Sequence, residues 1–263
     1  MQLFDMTWPE IDRLNRDTPV VIPIAAVEQH GHHLPLGTDS LLLGEIVRRV
    51  AERLDDRVLF LPLQWLGNSH HHLDFPGTLS APPRPYLDLL VALAENLVTH
   101  RFRRLVFLNG HGGNTTPSQQ AIFELRQRYR DRTDLLLLAS TYWETADPSA
   151  TRSDLRQRSM GHACEWETSM ILRLSRDRVR GSAGPLAPVF AGGSFAPAYR
   201  GWITRDRSAA GHIGDPEAAS IDKGEHLFAS FADGVTRLLE QVVAWDGTTW
   251  DRRERTQGDS PTR

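Results

Sequence analysis

The stretch Val20-Val21-Ile22-Pro23-Ile24-Ala25-Ala26 runs directly into Val27-Glu28-Gln29-His30-Gly31-His32-His33-Leu34-Pro35-Leu36-Gly37-Thr38-Asp39-Ser40. Its first part is short, apolar and β-branched, the pattern of a buried strand. Polarity then changes abruptly, and Glu28, His30, His32, His33 and Asp39 follow before helical spacing resumes over residues 41–54. Carboxylates and imidazoles are the ligands that divalent zinc, manganese or iron accept, and a loop at the end of a strand lets several of them converge. Any one of these residues alone reads as part of a polar surface loop. The cluster behind a buried strand points to a metal.

Outward from this unit, strands and helices alternate. Leu42, Leu43, Ile46, Val47, Val50 and Leu54 recur at helical spacing, with Thr38, Asp39 or Ser40 available as a cap. Further strands are predicted over residues 58–63, 104–109 and 135–139, and helices over about 84–100, 117–130 and 217–245. This alternation predicts an α/β fold with a mainly parallel central sheet covered on both faces, whose ligands gather beyond the carboxyl ends of the strands. Two more loops of interest belong at that edge. One contains Ser69-His70-His71-His72, of which one or two imidazoles could reach a common centre; the other is Gly110-His111-Gly112-Gly113-Asn114, whose glycines permit tight backbone geometry.

With 263 residues and 40% hydrophobic content, residues 1–245 are expected to form one domain, and the polar stretch 246–263 a disordered tail. A formal net charge of -3 and a pI near 6.4 give no reason to expect nucleic acid or an anionic membrane as partner. Cys164 is the lone cysteine, so no internal disulfide framework exists, and the absence of a signal stretch or long apolar span leads to an expected cytoplasmic location. Lys223 is the only lysine in a chain otherwise rich in arginine. Residues 146–160 read as an exposed excursion, a lid or subunit contact, and 181–198 as irregular. In Gly161-His162-Ala163-Cys164-Glu165-Trp166-Glu167-Thr168-Ser169, His162 and Glu165 share a face if the segment is helical, whereas Glu167 reads equally well as an acidic residue in a helix's first turn. A phosphate- or nucleotide-binding module at the Gly110 turn is the competing reading. It lacks a full glycine fingerprint and a phosphate-loop lysine, and it leaves Glu28, His30 and Asp39 without a role.

Taken together, Glu28-Gln29-His30-Gly31, Leu34-Pro35-Leu36-Gly37-Thr38-Asp39, His72-Leu73-Asp74-Phe75-Pro76-Gly77-Thr78, Asn109-Gly110-His111-Gly112-Gly113-Asn114 and His162-Ala163-Cys164-Glu165-Trp166-Glu167-Thr168-Ser169 resemble, in order, the motifs of the creatininase family of metal-dependent amidohydrolases. The resemblance implies a three-layer α/β/α fold, one or two divalent ions (zinc, manganese or iron) at the C-terminal sheet edge, and a ring-like homo-oligomer, commonly a hexamer. It matches Glu28, His30, Asp39 and His111 to metal ligands, with Asp39 bridging, and His162 to proton transfer. Creatininase itself is similar but places a carboxylate where this chain has Gly113; the Gly-Gly-Asn subgroup carries a later glutamate, which assigns Glu165 as fifth ligand and catalytic participant. Trp143, Ser69, His72, Gly112 and Gly113 are assigned to the substrate. The expected reaction is hydrolysis of a cyclic or linear amide of a small molecule, with a peptidase of the same fold as the alternative.

Overall fold

The structure, a computed structural model, describes residues 1–181, 186–190, 195 and 197–248. The element order is α1 (Trp8–Arg13), β1 (Val20–Ile24), α2 (Thr38–Leu54), β2 (Leu59–Phe60), α3 (Pro83–Thr99), β3 (Arg104–Asn109), α4 (Thr115–Arg128), β4 (Leu136–Thr141), α5 (Glu165–Ser175) and α6 (Ile221–Ala244). All four strands are parallel, in the order β2-β1-β3-β4, with Val20 against Leu105 and Ile24 against Asn109.

The period-two alternation of strand side chains splits the core into two sheets of contacts. Val21, Phe60, Val106 and Leu108 pack with α2, α5 and α6 on one face. Val20, Ile22, Ile24, Leu59, Leu105 and Phe107 pack with α3 and α4 on the other. A three-layer α/β/α sandwich results, and β1 and β3 are buried along their whole length because both faces are covered. Pro23 sits in a central strand, where a missing N–H ordinarily forfeits a ladder bond. Here the Pro23 carbonyl accepts from the Gln64 N–H, so the residue faces the β2 side, where β2 has already ended at Phe60.

Helix α2 starts one turn earlier than an apolar stripe alone indicates. Gly37 is its N-cap, with no side-chain cap bond, and the Ser40 hydroxyl instead donates to the Ala26 carbonyl. None of the three expected capping residues caps, which leaves the Asp39 carboxylate free for other partners. Segment 146–160 is less exposed than its composition suggests: Leu155 is buried, Arg152 pairs with Asp222 and the Pro148 carbonyl accepts from His226 Nε2, so the segment is strapped across α6. Of the irregular stretch 181–198, residues 182–185, 191–194 and 196 lie outside the described residues, as does the tail from 249 onward. No helix among the described residues is long and apolar enough to cross a membrane.

The α5–α6 contact is close at Gly224, where an added Cβ would lie 2.0 Å from the Ser169 carbonyl oxygen, whereas a Cβ at Gly44 on α2 meets nothing within 4 Å. Gly44→Ala is expected to stabilise by about 0.5–1 kcal/mol through helix propensity. Gly224→Ala carries the same propensity gain and is nevertheless expected to destabilise by about 1–3 kcal/mol, because the helices must part. Urea unfolding of both variants checks this; a stabilised Gly224→Ala would refute the packing account.

Candidate metal centre

The carboxyl ends of the parallel strands deliver side chains from five places to one spot. Glu28 and His30 come from the loop after β1, Asp39 from the first turn of α2, His71 and His72 from the loop after β2, His111 from the turn after β3, and Glu167 from the first turn of α5. Asn114 stitches three of these loops together: its Oδ1 accepts from the Asn68 N–H at 2.9 Å and its Nδ2 donates to the Ala25 carbonyl at 3.0 Å. Gly113 is required by the same crowding, since a Cβ there would fall 2.1 Å from the Asn68 carbonyl and 2.5 Å from His111 Nε2.

Asp39 stands in the middle. Its Oδ1 lies 3.1 Å from His30 Nε2, which is itself 3.6 Å from Glu167 Oε1. Its Oδ2 lies 3.0 Å from His111 Nδ1, which is 3.3 Å from Glu28 Oε1. The far nitrogens of both rings are pinned. His111 Nε2 donates to the Asn68 carbonyl at 2.9 Å and His30 Nδ1 to the Glu28 carbonyl at 3.1 Å, which turns Nδ1 of His111 and Nε2 of His30 into the cluster as a metal-binding tautomer requires.

Burial disfavours charge on His30, yet Asp39 and Glu167 outweigh it and raise the ring well above its ordinary 6.5. His111 is likewise raised well above 6.5, with Glu28 and Asp39 overcoming its burial. Burial opposes ionisation of Asp39 too, but His30 and His111 hold its carboxyl far below the usual range. Glu28 Oε2 and Glu167 Oε2 are buried without a hydrogen-bond partner. Three carboxylates converging with imidazoles around orphaned acceptor atoms form a donor set that fits divalent zinc, manganese or iron.

His162 closes the site from above. It precedes α5 and is bridged to Ile213, with Ala163 at φ +48° turning the chain into the helix. Its Nε2 donates to the Gln29 carbonyl at 2.7 Å, leaving Nδ1 3.5 Å from Glu28 Oε1, and burial followed by the charge on His30 holds it down to about 3. Its ring lies 4.3 Å from that of His30 and 4.2 Å from that of His72.

Glu165 does not join the cluster, and the structure corrects that expectation. The helix begins at Glu165, so His162 lies outside it and the shared-face premise fails. Within α5, Glu165 and Glu167 are two positions apart, about 200° around a helix of 3.6 residues per turn. Glu165 faces α6, where Lys223 Nζ donates to Oε1 at 2.6 Å and the Gln157 N–H to Oε2 at 2.8 Å. Glu167 faces the strand ends. The chain's only lysine thus neutralises the glutamate that is not in the centre.

Of the other expected residues, His72 is buried with Nε2 3.3 Å from Glu28 Oε1, while Trp143, Gly112 and Gly113 line a cavity of about 850 Å³ that opens from the cluster. The Ser69 hydroxyl sits behind His111, 3.3 Å from Nε2. His70 turns outward to Ser80, His32 is exposed, and His33, kept at about 4 chiefly by burial, binds Thr168 Oγ1 instead of the cluster. Gln29, which sequence reasoning passed over, has its Nε2 2.8 Å from His72 Nδ1 and donates to the Gly211 carbonyl; only its place inside a dense motif hinted at this.

The family profile described as creatinine amidohydrolase matches residues 4–239. The chain belongs to the creatininase family. A mycofactocin precursor peptide peptidase of Mycobacterium ulcerans (strain Agy99) is 32% identical over 252 residues, covering 92% of this chain and 89% of that protein. Creatinine amidohydrolase of Pseudomonas putida is 28% identical over 256 residues, covering 90% and 95%. A creatininase solved as its Mn form superposes with a TM-score of 0.77 at 27% identity, covering 91% of this chain and 97% of that one. Membership in the creatininase family makes this chain a metal-dependent amidohydrolase acting on carbon–nitrogen bonds, and its buried cluster is where a metal fits.

The raised imidazoles make metal-free stability pH-dependent. A group whose folded pKa exceeds its unfolded value contributes stability that is complete below the unfolded value and lost as pH rises through the folded one. For His30 and His111 that window opens at 6.5 and extends upward. Chelator-treated protein is therefore expected to lose thermal stability from about pH 6.5 upward while metal-loaded protein, with both rings deprotonated as ligands, does not. A metal-free midpoint that climbs over this range would contradict it.

Proposed function

We propose that this enzyme hydrolyses an amide at a centre that would take two divalent ions. Glu28, Asp39 and His111 would hold one and His30, Asp39 and Glu167 the other, Asp39 being shared. The observation that supports it is the division of Asp39 itself, one carboxylate oxygen beside each group of donors. Bound divalent ions supply water of lowered pKa, from about 15.7 toward about 7, and a polarised carbonyl. Zinc, manganese and iron all suit these donors, and manganese has a precedent in the solved relative.

The chain's own residues do the rest. His162 enters neutral, its Nε2–H anchored on the Gln29 carbonyl and its Nδ1 lone pair directed at the cluster. It takes the proton that water loses on adding to the carbonyl carbon, and returns it to the leaving nitrogen as the C–N bond breaks. Backbone amides at Gly112 and Gly113 face the developing oxyanion, Trp143 packs on a planar substrate part, and His72 holds Glu28.

The substrate is a small amide, and creatinine itself fits poorly, since Gly113 stands where creatininase has a carboxylate. A peptide substrate is the second reading, favoured by the 32% identity to the precursor-peptide peptidase and by a cavity of about 850 Å³. A homo-oligomer, with the hexamer favoured by the family resemblance, acting in the cytoplasm belongs to the same reading.

Asp39→Asn and Glu167→Gln are expected to lower metal content and to reduce amide hydrolysis by at least about a hundredfold, while Glu165→Gln keeps its metal. Plasma mass spectrometry, amide turnover and sedimentation of the same preparations test this. Full metal content in Glu167→Gln would remove the second subsite, and a monomer in sedimentation would remove the oligomer.

A further inference from the structure

The cavity lined by Glu28, Asp39 and Glu167 is also lined by a cation, Arg207, whose guanidinium touches no anion directly among the described residues. Arg207 is half-buried and lines the cavity, its guanidinium carbon 3.6 Å from the centroid of the Trp202 ring. Its backbone N–H donates to the Thr204 carbonyl, but among the described residues its guanidinium has neither a hydrogen bond nor an ion pair. Its neighbours in the same segment are engaged: Arg205 donates to the Asp74 carbonyl and Arg200 lies 3.8 Å from Asp206. Burial, followed by the proximity of Arg200, disfavours the charge on Arg207, and Asp206 offsets this only in part. A half-buried guanidinium that lies over an indole ring and touches no anion directly is a fork prepared for a bidentate acceptor.

Its place relative to the centre is defined by rings. Trp202 meets His71 edge-on at 5.0 Å, and His71 stacks on His111 at 5.8 Å. The guanidinium therefore stands two rings away from the reacting region, on the same cavity. An anion seated on it belongs to a part of the substrate remote from the scissile bond.

We propose that Arg207, presented by Trp202, receives a carboxylate of the substrate, so that the preferred substrates are amides carrying a free carboxylate. This rests on the hydrolase reading above and narrows it to N-acyl amino acids and peptides cut near a free C terminus. Arg200, lining the same cavity, adds to the positive potential that draws such anions in. Arg207 acts on specificity and takes no part in proton transfer.

The test uses metal-loaded full-length protein, wild type, R207Q and R207K, against a panel of N-acetyl amino acids and N-acetyl dipeptides, each as free acid and as carboxamide. Wild type is expected to favour the acids by about tenfold or more in kcat/KM, expressed in KM, since only the acids form a charge-assisted pair with the guanidinium. R207Q is expected to lower kcat/KM for the acids to the level of their carboxamides, and R207K to keep an intermediate preference, with metal content and thermal midpoint unaltered. A preference that survives in R207Q means that the acid is read by the metal centre, and overturns the proposal, as does equal treatment of acids and carboxamides by wild type. If metal-loaded wild type cleaves no member of either series, the hydrolase reading has failed for these amides. Calorimetric binding of the same pairs to wild type and R207Q then decides the role of Arg207, by the same criterion of an acid preference that depends on it.

Discussion

Three carboxylates, Glu28, Asp39 and Glu167, are buried at one point with no lysine or arginine paired to them among the described residues. Each buried ion carries a desolvation penalty of several kcal/mol, and like charges at this separation add repulsion. The folded state accommodates them only by supplying positive charge from elsewhere, either as protons on His30 and His111 or as metal ions in their place. The directions in which the histidines are shifted, the orphaned oxygens and the pinning of each ring by a backbone carbonyl all follow from that single concentration of charge.

Holding such a cluster requires rigid backbone, and the sandwich provides it. The acids and imidazoles sit in the loops that follow the buried strands β1, β2 and β3 or in the first turns of α2 and α5, which pack on one face of the sheet, and hydrogen bonds between the loops hold them in place. Close approach is obtained by removing side chains. Gly67 lies where a Cβ would be 2.4 Å from the Ala25 carbonyl, and Gly113 where it would meet Asn68. Asn114 then fixes the distance between the loops with two hydrogen bonds of its own amide.

Helix α5 divides its two glutamates between architecture and chemistry. Glu165 and Lys223 form a buried pair that locks α5 to α6, and Gln157 completes the coordination of that carboxylate from the strap across α6. Glu167, on the opposite side of the same turn, reaches His30 only because the helix is held in that rotation. The carboxylate absent at Gly113 and the one present at Glu167 belong to different elements, the turn after β3 and the first turn of α5.

Much was written in the chain itself. The strand β1, its burst of Glu28, His30 and Asp39, the apolar stripe of α2, the parallel α/β class and the Gly-Gly-Asn turn are all local patterns, because hydrophobic periodicity and loop composition act over a few residues. The expectation for Glu165 failed for a reason that local spacing does not contain: the helix started three residues later than His162, and the rotation of α5 was set by Lys223, 58 positions away. Gln29, Glu167 and Arg207 likewise acquired their roles only when distant segments closed around one cavity. Residue type and short-range pattern fixed which chemistry the protein could perform. Long-range packing alone, by choosing which face of each helix turns toward the strand ends, decided which residues perform it.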